Sequence, residues 1–199
     1  IAYGSTMIKT KSTNYLKKYN LKKKDFYLIV GRLIPDNNSR LIIEGFLRSN
    51  SSKKIVIVGD VPYKDYYAEE VKTMVSNNVI FTGYINCQEE LSQLYQNCFS
   101  YIHGHEFGGT NPAMVNALDL NCEVIALKTK FNVEMLHNKK SIFFEKTIDS
   151  ITNSINFFEI KHIEYRNSNM DYKMNNKYDW DDITKKYLKV FFKIYQFPK

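Results

Sequence analysis

The chain has 199 residues, 28 of them basic and 21 acidic, for a formal net charge of +7, with 44% hydrophobic and 25% charged residues. This is ordinary globular composition, and a chain of this length buries about 70% of the surface its unfolded form exposes, so one domain, or one and a small annex, is expected. A run of about 18 apolar residues and a signal-peptide pattern are both lacking, so the segment is expected neither to span a membrane nor to be exported. A start at Ile1 followed by Ala2-Tyr3-Gly4 reads as a piece of a longer protein. From residue 25 the pattern alternates apolar runs over 26–30, 55–58, 79–81, 99–102 and 124–127 with helical stretches over 38–48, 63–75, 88–96 and 111–120. The apolar runs are continuous rather than alternating, which predicts parallel strands covered on both faces. After residue 128 the sequence predicts a short helix from Phe131, an edge strand over 141–144, a polar, Asn-rich loop over 161–178 and a final helix over 180–197. Along that last helix runs an apolar stripe of Ile183, Tyr187, Val190 and Phe191 or Ile194.

The expected fold is therefore α/β, a Rossmann-like, doubly wound parallel sheet. Its domain occupies residues 1–178, and a C-terminal helix over 179–199 either packs on it or crosses to another domain. In this architecture ligands sit at the carboxyl ends of the strands, so the following loops are the place to seek chemistry. The cysteines Cys87, Cys98 and Cys122 lie outside any CxxC spacing and fit a reduced, cytoplasmic protein. The lysines are spread through turns and helix ends (Lys22 to Lys24, Lys53, Lys54, Lys139, Lys140), which reads as a solvated surface rather than a nucleic-acid interface.

The most distinctive loop is Gly108-Gly109-Thr110-Asn111-Pro112, leading into Ala113-Met114-Val115-Asn116. Pro112 suits a first helical turn, Thr110 or Asn111 suits an N-cap, and the glycines leave amides ahead of the helix open to an anion such as a diphosphate. The bland alternative is a capped helix after a flexible turn. Arg32 follows a strand and Gly31, which aims its fork into the same crevice, although alone it could equally be a surface ion-pair partner. Arg40 and either Lys128 or Lys130 are secondary sources of that charge. His103-Gly104-His105-Glu106 invites a metal, but two histidines across one glycine diverge and no further ligand pair lies at suitable spacing. Hydrogen bonding to substrate hydroxyls suits them better, with His103 or His105 facing the crevice and Glu106 either turned toward it or solvated. Asp179-Trp180-Asp181 spells an Asp-x-Asp pattern, yet its place before an amphipathic helix favours acidic residues countering the helix dipole. Tyr84, Ile85 and Leu91 can offer backbone groups and an apolar wall to a nucleobase, or simply form a loop and a core leucine.

The series Val30-Gly31-Arg32-Leu33, Ile57-Val58-Gly59, Val79 to Gly83, the helix near Pro112, Glu134 and the closing Trp180 helix resembles the C-terminal, donor-binding domain of GT-B glycosyltransferases of the family 4 type. Pro35-Asp36-Asn37-Asn38, His103-Gly104-His105, Gly108 to Pro112 and Phe131-Asn132-Val133-Glu134 look, more narrowly, like the bacterial rhamnosyltransferases of surface-polysaccharide synthesis. The resemblance covers nearly the whole chain. It implies a nucleotide-sugar donor, dTDP- or UDP-linked, with sugar transferred to an acceptor held mainly by an N-terminal domain. It further implies retention of anomeric configuration, no metal and no separate cofactor. Arg32 and the Gly109 and Thr110 amides would meet the diphosphate, Tyr84 and Ile85 the base, and the 103–108 segment the sugar. Two departures stand out. Asn37 occupies the place of a usual lysine, so that Arg40 or a downstream lysine would supply the charge. Asn116 occupies the place of a usual glutamate for ribose, which points to a weaker ribose grip or a deoxyribose nucleotide such as dTDP-rhamnose. The competing expectations are a non-catalytic nucleotide-binding module and a basic protein binding polyanions. For the enzyme, the same basic surface suggests a peripheral place at the inner membrane face, near a lipid-linked acceptor.

Overall fold

The computed structural model describes residues 2–5, 7–172 and 178–195. Valine, isoleucine and aromatic residues fill the apolar runs, and they form six parallel strands: β1 (Phe26–Val30), β2 (Lys54–Val58), β3 (Val79–Gly83), β4 (Ser100–His103), β5 (Val124–Leu127) and β6 (Ile142–Phe144). Their order, β3-β2-β1-β4-β5-β6, is that of a doubly wound Rossmann-like sheet, with the switch point between β1 and β4. Successive strand side chains point to opposite faces, and here both faces are buried, which is why the runs lack alternation. Leu28, Val56, Tyr101 and Val124 meet helices α1 (Asn14–Lys18), α4 (Gln88–Asn97) and α5 (Pro112–Asp119) on one face. Tyr27, Ile29, Ile57, Ile102 and Ile125 meet α2 (Ser39–Arg48), α3 (Tyr66–Lys72) and α7 (Ile148–Ser168) on the other. The short α6 (Lys130–Met135) follows β5 and adds Met135 to the first face.

Three differences from the sequence reading have physical causes. The loop expected from residue 161 is helix through Ser168: α7 buries Ile151, Ile155 and Phe158, then continues with one side in solvent, so its last turns read as polar. Nothing in 159–168 breaks a helix, and it stops at Asn169, whose side chain holds Glu123 Oε2 at 2.6 Å and the Lys140 carbonyl at 2.9 Å. The helix α1 was not expected; it is five residues long, buries only Leu16, and is tied down by the Gln93 Oε1 accepting from the Tyr15 amide at 3.0 Å. The final helix, α8, spans Trp180–Tyr195 and buries Ile183 alone, while Tyr187, Val190, Phe191 and Ile194 of its apolar stripe, and Phe192 and Tyr195 beside it, face solvent. Asp179 caps α8, its Oδ1 accepting from the Asp181 and Asp182 amides at 3.0 and 3.2 Å. Among the described residues no helix is long and apolar enough to cross a membrane.

Candidate functional site

The loops after β1, β2, β3 and β4 converge at the carboxyl end of the sheet, and their backbones are knit together. The Gly31 amide donates to the Val58 carbonyl at 3.0 Å and the Gly59 amide to the Gly83 carbonyl at 2.9 Å. Gly59 has φ +124°, and a Cβ there would overlap the Gly31 carbonyl oxygen, so only glycine allows this approach. The result is a cavity of about 600 Å³ walled by Val30, Val58, Val61, Ile85 and Leu91, with Tyr84 at its edge and Arg32 at its end. A second cavity of about 430 Å³ begins at the same Gly31 and Arg32 and runs past Asn37, His105 and Phe107 to Asn111 and Pro112 at the start of α5. Arg32 thus stands at the junction of an apolar chamber and a polar one, and among the described residues it has no ion-pair partner.

Two buried asparagines set the polar chamber. Asn38 adopts the left-handed conformation, φ 56°, at the end of a 3-10 turn over Pro35–Asn37. Its Nδ2 donates to the Gly104 carbonyl at 2.8 Å and to Glu106 Oε1 at 2.9 Å. From α6, Asn132 Nδ2 donates to the His105 carbonyl at 3.1 Å and the Leu127 carbonyl at 2.8 Å. The 104–106 segment is therefore pinned from both sides. Gly104 is required because a Cβ there would overlap the Asn37 carbonyl oxygen.

His103 is fully buried, its Nδ1 paired with the Tyr101 hydroxyl at 2.8 Å, and it stacks on His105 with ring centroids 4.5 Å apart and planes 13° from parallel. Burial holds both imidazoles neutral: His103 titrates far below the usual range, and burial plus the Arg32 charge brings His105 down to about 4. At neutral pH His105 can donate or accept a hydrogen bond in the chamber but adds no charge. Positive potential comes from Arg32 and from the amino end of α5, where Asn111 is the N-cap and accepts from the Ala113 amide at 2.9 Å.

Over residues 11–177 the sequence matches the glycosyl transferases group 1 family. The chain belongs to that family. Its six-stranded parallel sheet with flanking helices is the Rossmann-like α/β fold found in GT-B glycosyltransferases. Anabaena Alr3699/HepE, solved in complex with UDP and glucose, superposes with a TM-score of 0.75 at 16% identity, covering 90% of this chain and 51% of that one. Sucrose-phosphate synthase from Thermosynechococcus elongatus gives 0.74 at 12% identity, over 98% and 50%. The C-terminal domain of the Francisella tularensis group 1 protein LpcC gives 0.65 at 18% identity, over 93% and 95%. The chain spans about half the length of the first two. No curated protein matches the sequence.

In this group 1 domain several of the expected site residues line the two chambers. Gly31, Arg32, Asn37, His105 and Asn111 line the polar chamber, and Tyr84, Ile85 and Leu91 the apolar one. Asn37 also braces the loop, its Nδ2 on the Arg32 carbonyl at 2.8 Å. Gly109, Thr110 and Glu134 meet at a smaller hollow of about 90 Å³ with Phe131 and Tyr178, and Gly108, φ +110°, turns the chain into that stretch. Other expected residues are engaged elsewhere. Arg40 is bound to Glu44 at 2.9 Å and Glu70 at 2.6 Å on the outside of α2, so it supplies no charge to the crevice. Its i,i+4 glutamate was visible in the sequence. Lys128 pairs with Glu145 at 3.1 Å, and Lys130 lies over the Phe131 ring at 5.0 Å. Asn116 accepts from Ser5 Oγ at 3.3 Å and lines neither chamber. Glu106 is held by Asn38 and by Lys146, which against the opposing effect of burial keep its carboxyl below the usual range, so it is neither turned toward the crevice nor merely solvated. His103 is fully buried behind His105, on which it stacks, and lines neither chamber.

Residues the sequence reading missed are Asn38, Asn132 and Asp60. Asp60 lines the apolar chamber, where the Lys72 ammonium at 2.8 Å and the Val61 amide outweigh burial and hold it ionised. Its position directly after Gly59 at a strand end was the available signal. Among the described residues no group of three or more His, Cys, Asp or Glu is placed to hold a metal ion.

Proposed function

We propose that this group 1 domain is the donor-binding half of a retaining, metal-independent glycosyltransferase that moves a hexose of the rhamnose type from a dTDP- or UDP-linked donor. The acceptor, a surface-polysaccharide precursor or lipid-linked sugar, is held mainly by an N-terminal domain, and the enzyme works at the cytoplasmic face of a membrane. The observation that supports this best is the placement of Arg32 between an apolar chamber of about 600 Å³ and a polar one of about 430 Å³. A nucleobase suits the first, between Tyr84, Ile85 and Leu91. The diphosphate then lies against Arg32 and the amino end of α5, and the sugar extends toward His105 and Asn37.

In this arrangement catalysis is mostly electrostatic and positional. The bond from the anomeric carbon to the diphosphate oxygen breaks as the acceptor hydroxyl oxygen bonds to that carbon and its proton passes to the departing nucleoside diphosphate, whose developing charge the Arg32 guanidinium neutralises. A neutral His105 orients a sugar hydroxyl without competing with Arg32. HepE, an Anabaena protein of this fold, is described with UDP and with glucose, which favours the nucleotide-sugar class.

The test is calorimetric and thermal-shift titration of the chain with dTDP, UDP, GDP and ADP. Ligand at about 100 times its dissociation constant raises stability by about 2.7 kcal/mol. A selective response to dTDP or UDP that disappears in Arg32→Ala supports the proposal and names the base. A response unchanged by Arg32→Ala refutes the assigned geometry. In the full-length enzyme, a product of inverted configuration or activity lost to chelators would refute the retaining, metal-free chemistry.

A further inference from the structure

At the other end of the sheet, where the parallel strands begin, lies a third cavity of about 580 Å³. Parallel strands bring their preceding turns together, so Lys24 before β1, Lys53 before β2 and Glu123 before β5 share this space, although they are distant in sequence. The last turns of α7 close one side with His162 and Arg166. Lysines scattered along the chain are thus partly gathered at one place.

The cations are only partly neutralised. Lys24 Nζ spends two of its hydrogens on the Gln96 and Cys98 carbonyls, at 3.1 and 2.9 Å, which fixes its charge at the cavity and leaves one donor. Lys53 lies over the Phe99 ring at 4.5 Å. It is also paired with Glu159 Oε2 at 3.5 Å, while the other oxygen of that carboxylate accepts from the Tyr27 and Ser51 hydroxyls at 2.9 and 2.6 Å. Arg166 has no side-chain hydrogen bond or ion pair among the described residues. Against these three cations stand two carboxylates, Glu159 behind Lys53 and the lining Glu123, which accepts from Asn169 Nδ2 at 2.6 Å. The cavity therefore has an excess of positive charge with spare donors, together with acceptors and amides suited to hydroxyl groups (Glu123, Asn167) and an apolar wall from Phe99 and Phe158.

We propose that this cavity binds a soluble phosphomonoester of a small polyhydroxylated compound, a sugar phosphate being the simplest member of that class. The phosphate is held by Lys53 and Arg166 through charge-assisted hydrogen bonds, and the hydroxyls by Glu123 and Asn167. A cavity of this volume holds a small molecule and is concave, so a flat bilayer surface does not reach its floor.

Glucose 6-phosphate titrated into the ¹⁵N-labelled chain, followed by amide chemical shifts, tests the assignment. The amides of residues 24, 53, 99, 123 and 162–167 are expected to move, and inorganic phosphate alone should move the same set with lower affinity. Arg166→Glu should weaken glucose 6-phosphate binding by about tenfold or more, the loss of a charge-assisted contact, whereas Arg32→Ala should leave these shifts in place. Shifts confined to Gly31, Arg32 and the start of α5, or no shifts up to about 10 mM, a dissociation constant weaker than about −3 kcal/mol of binding, overturn the proposal. So does binding to phosphatidylglycerol vesicles that glucose 6-phosphate does not compete.

Discussion

The two ends of the sheet are built by opposite means. At the carboxyl end the chambers are shaped by backbone: glycine-bearing loops bonded carbonyl to amide, and Asn38 and Asn132 clamping the 104–106 segment. At the amino end the cavity is lined by the tips of long side chains, Lys24, Lys53 and Arg166, of which Arg166 has no side-chain partner among the described residues. A site that must hold a reacting bond in register profits from the first construction, since loose positioning forfeits most of the advantage of proximity. Side-chain tips can adjust to a ligand and be replaced without disturbing the fold. The glycine and asparagine framework of the carboxyl end should therefore fail through stability and geometry together, whereas unpartnered side chains such as Arg166 at the amino end should fail through affinity alone.

The largest effect is expected at Gly59. Alanine there must adopt φ +124° and push its Cβ into the Gly31 carbonyl, at a cost of about 3 kcal/mol or more from strain and overlap. Urea denaturation of Gly59→Ala should show this loss, and the nucleotide response should fall with it. A stable variant would mean that the loops tolerate separation, and the contrast between the two ends would lose its basis.

Titration of His105 gives an effect of similar order. Its folded value of about 4 lies below the ordinary 6.5, so the folded state binds its proton less readily than the unfolded one. Stability from this group is fully present above about pH 6.5 and is lost as the pH falls toward 4, by on the order of 3 kcal/mol. Comparing wild type with His105→Gln across pH 7 to 4 isolates the contribution, because the carboxylates lose their pairing in both proteins alike. Parallel curves would show that the imidazole is charged or solvated in the fold.

Arg32→Ala should weaken nucleoside diphosphate binding by about 2 kcal/mol, the scale of a charge-assisted contact. Arg32 is exposed and has no ion-pair partner among the described residues, so the melting temperature without ligand should not move. A fall in both would show that the guanidinium also supports the loop, and the separation of charge from scaffold at this end would need revision.

Much of this was readable from the residues alone, and the exceptions share a cause. Strands β1 and β5 begin and end where the apolar runs do, because a strand buried on both faces has no polar positions to blur it. Arg32, His105 and Asn111 stand in loops directly after strands or before a helix, where topology alone brings them to the crevice. The helix α1 and the outer half of α7 were illegible because neither is defined by its own pattern: α1 depends on Gln93, 78 residues distant from the Tyr15 it holds, and α7 continues past its buried face by simple propagation. Asn38 and Asn132 were missed for the same reason. Their partners Gly104 and His105 are 66 and 27 residues distant, and a short polar side chain near a helix start ordinarily suggests a local cap. Asn116 shows the converse: a position that family likeness assigns to ribose is turned here toward Ser5, and only the packing of the 2–5 segment against α5 decides it.

The smallest expected effect sharpens the contrast most. Arg166 is exposed, near the end of α7, with no side-chain bond among the described residues, so Arg166→Ala should change unfolding free energy by no more than about 0.5 kcal/mol. Two terms oppose each other at this position. An arginine in the last turn interacts favourably with the negative end of the helix, by a few tenths of a kcal/mol. Its proximity to Lys24 and Lys53 in one cavity is repulsive and removed by the substitution. Salt separates them, because screening weakens both surface terms while leaving the backbone framework untouched. If Arg166→Ala is slightly stabilising at low salt and neutral at high salt, repulsion dominates and the cavity is an electrostatically frustrated pocket awaiting an anion. A loss well above 0.5 kcal/mol that persists in high salt would instead make Arg166 part of the scaffold, and the two ends of the sheet would then be built alike.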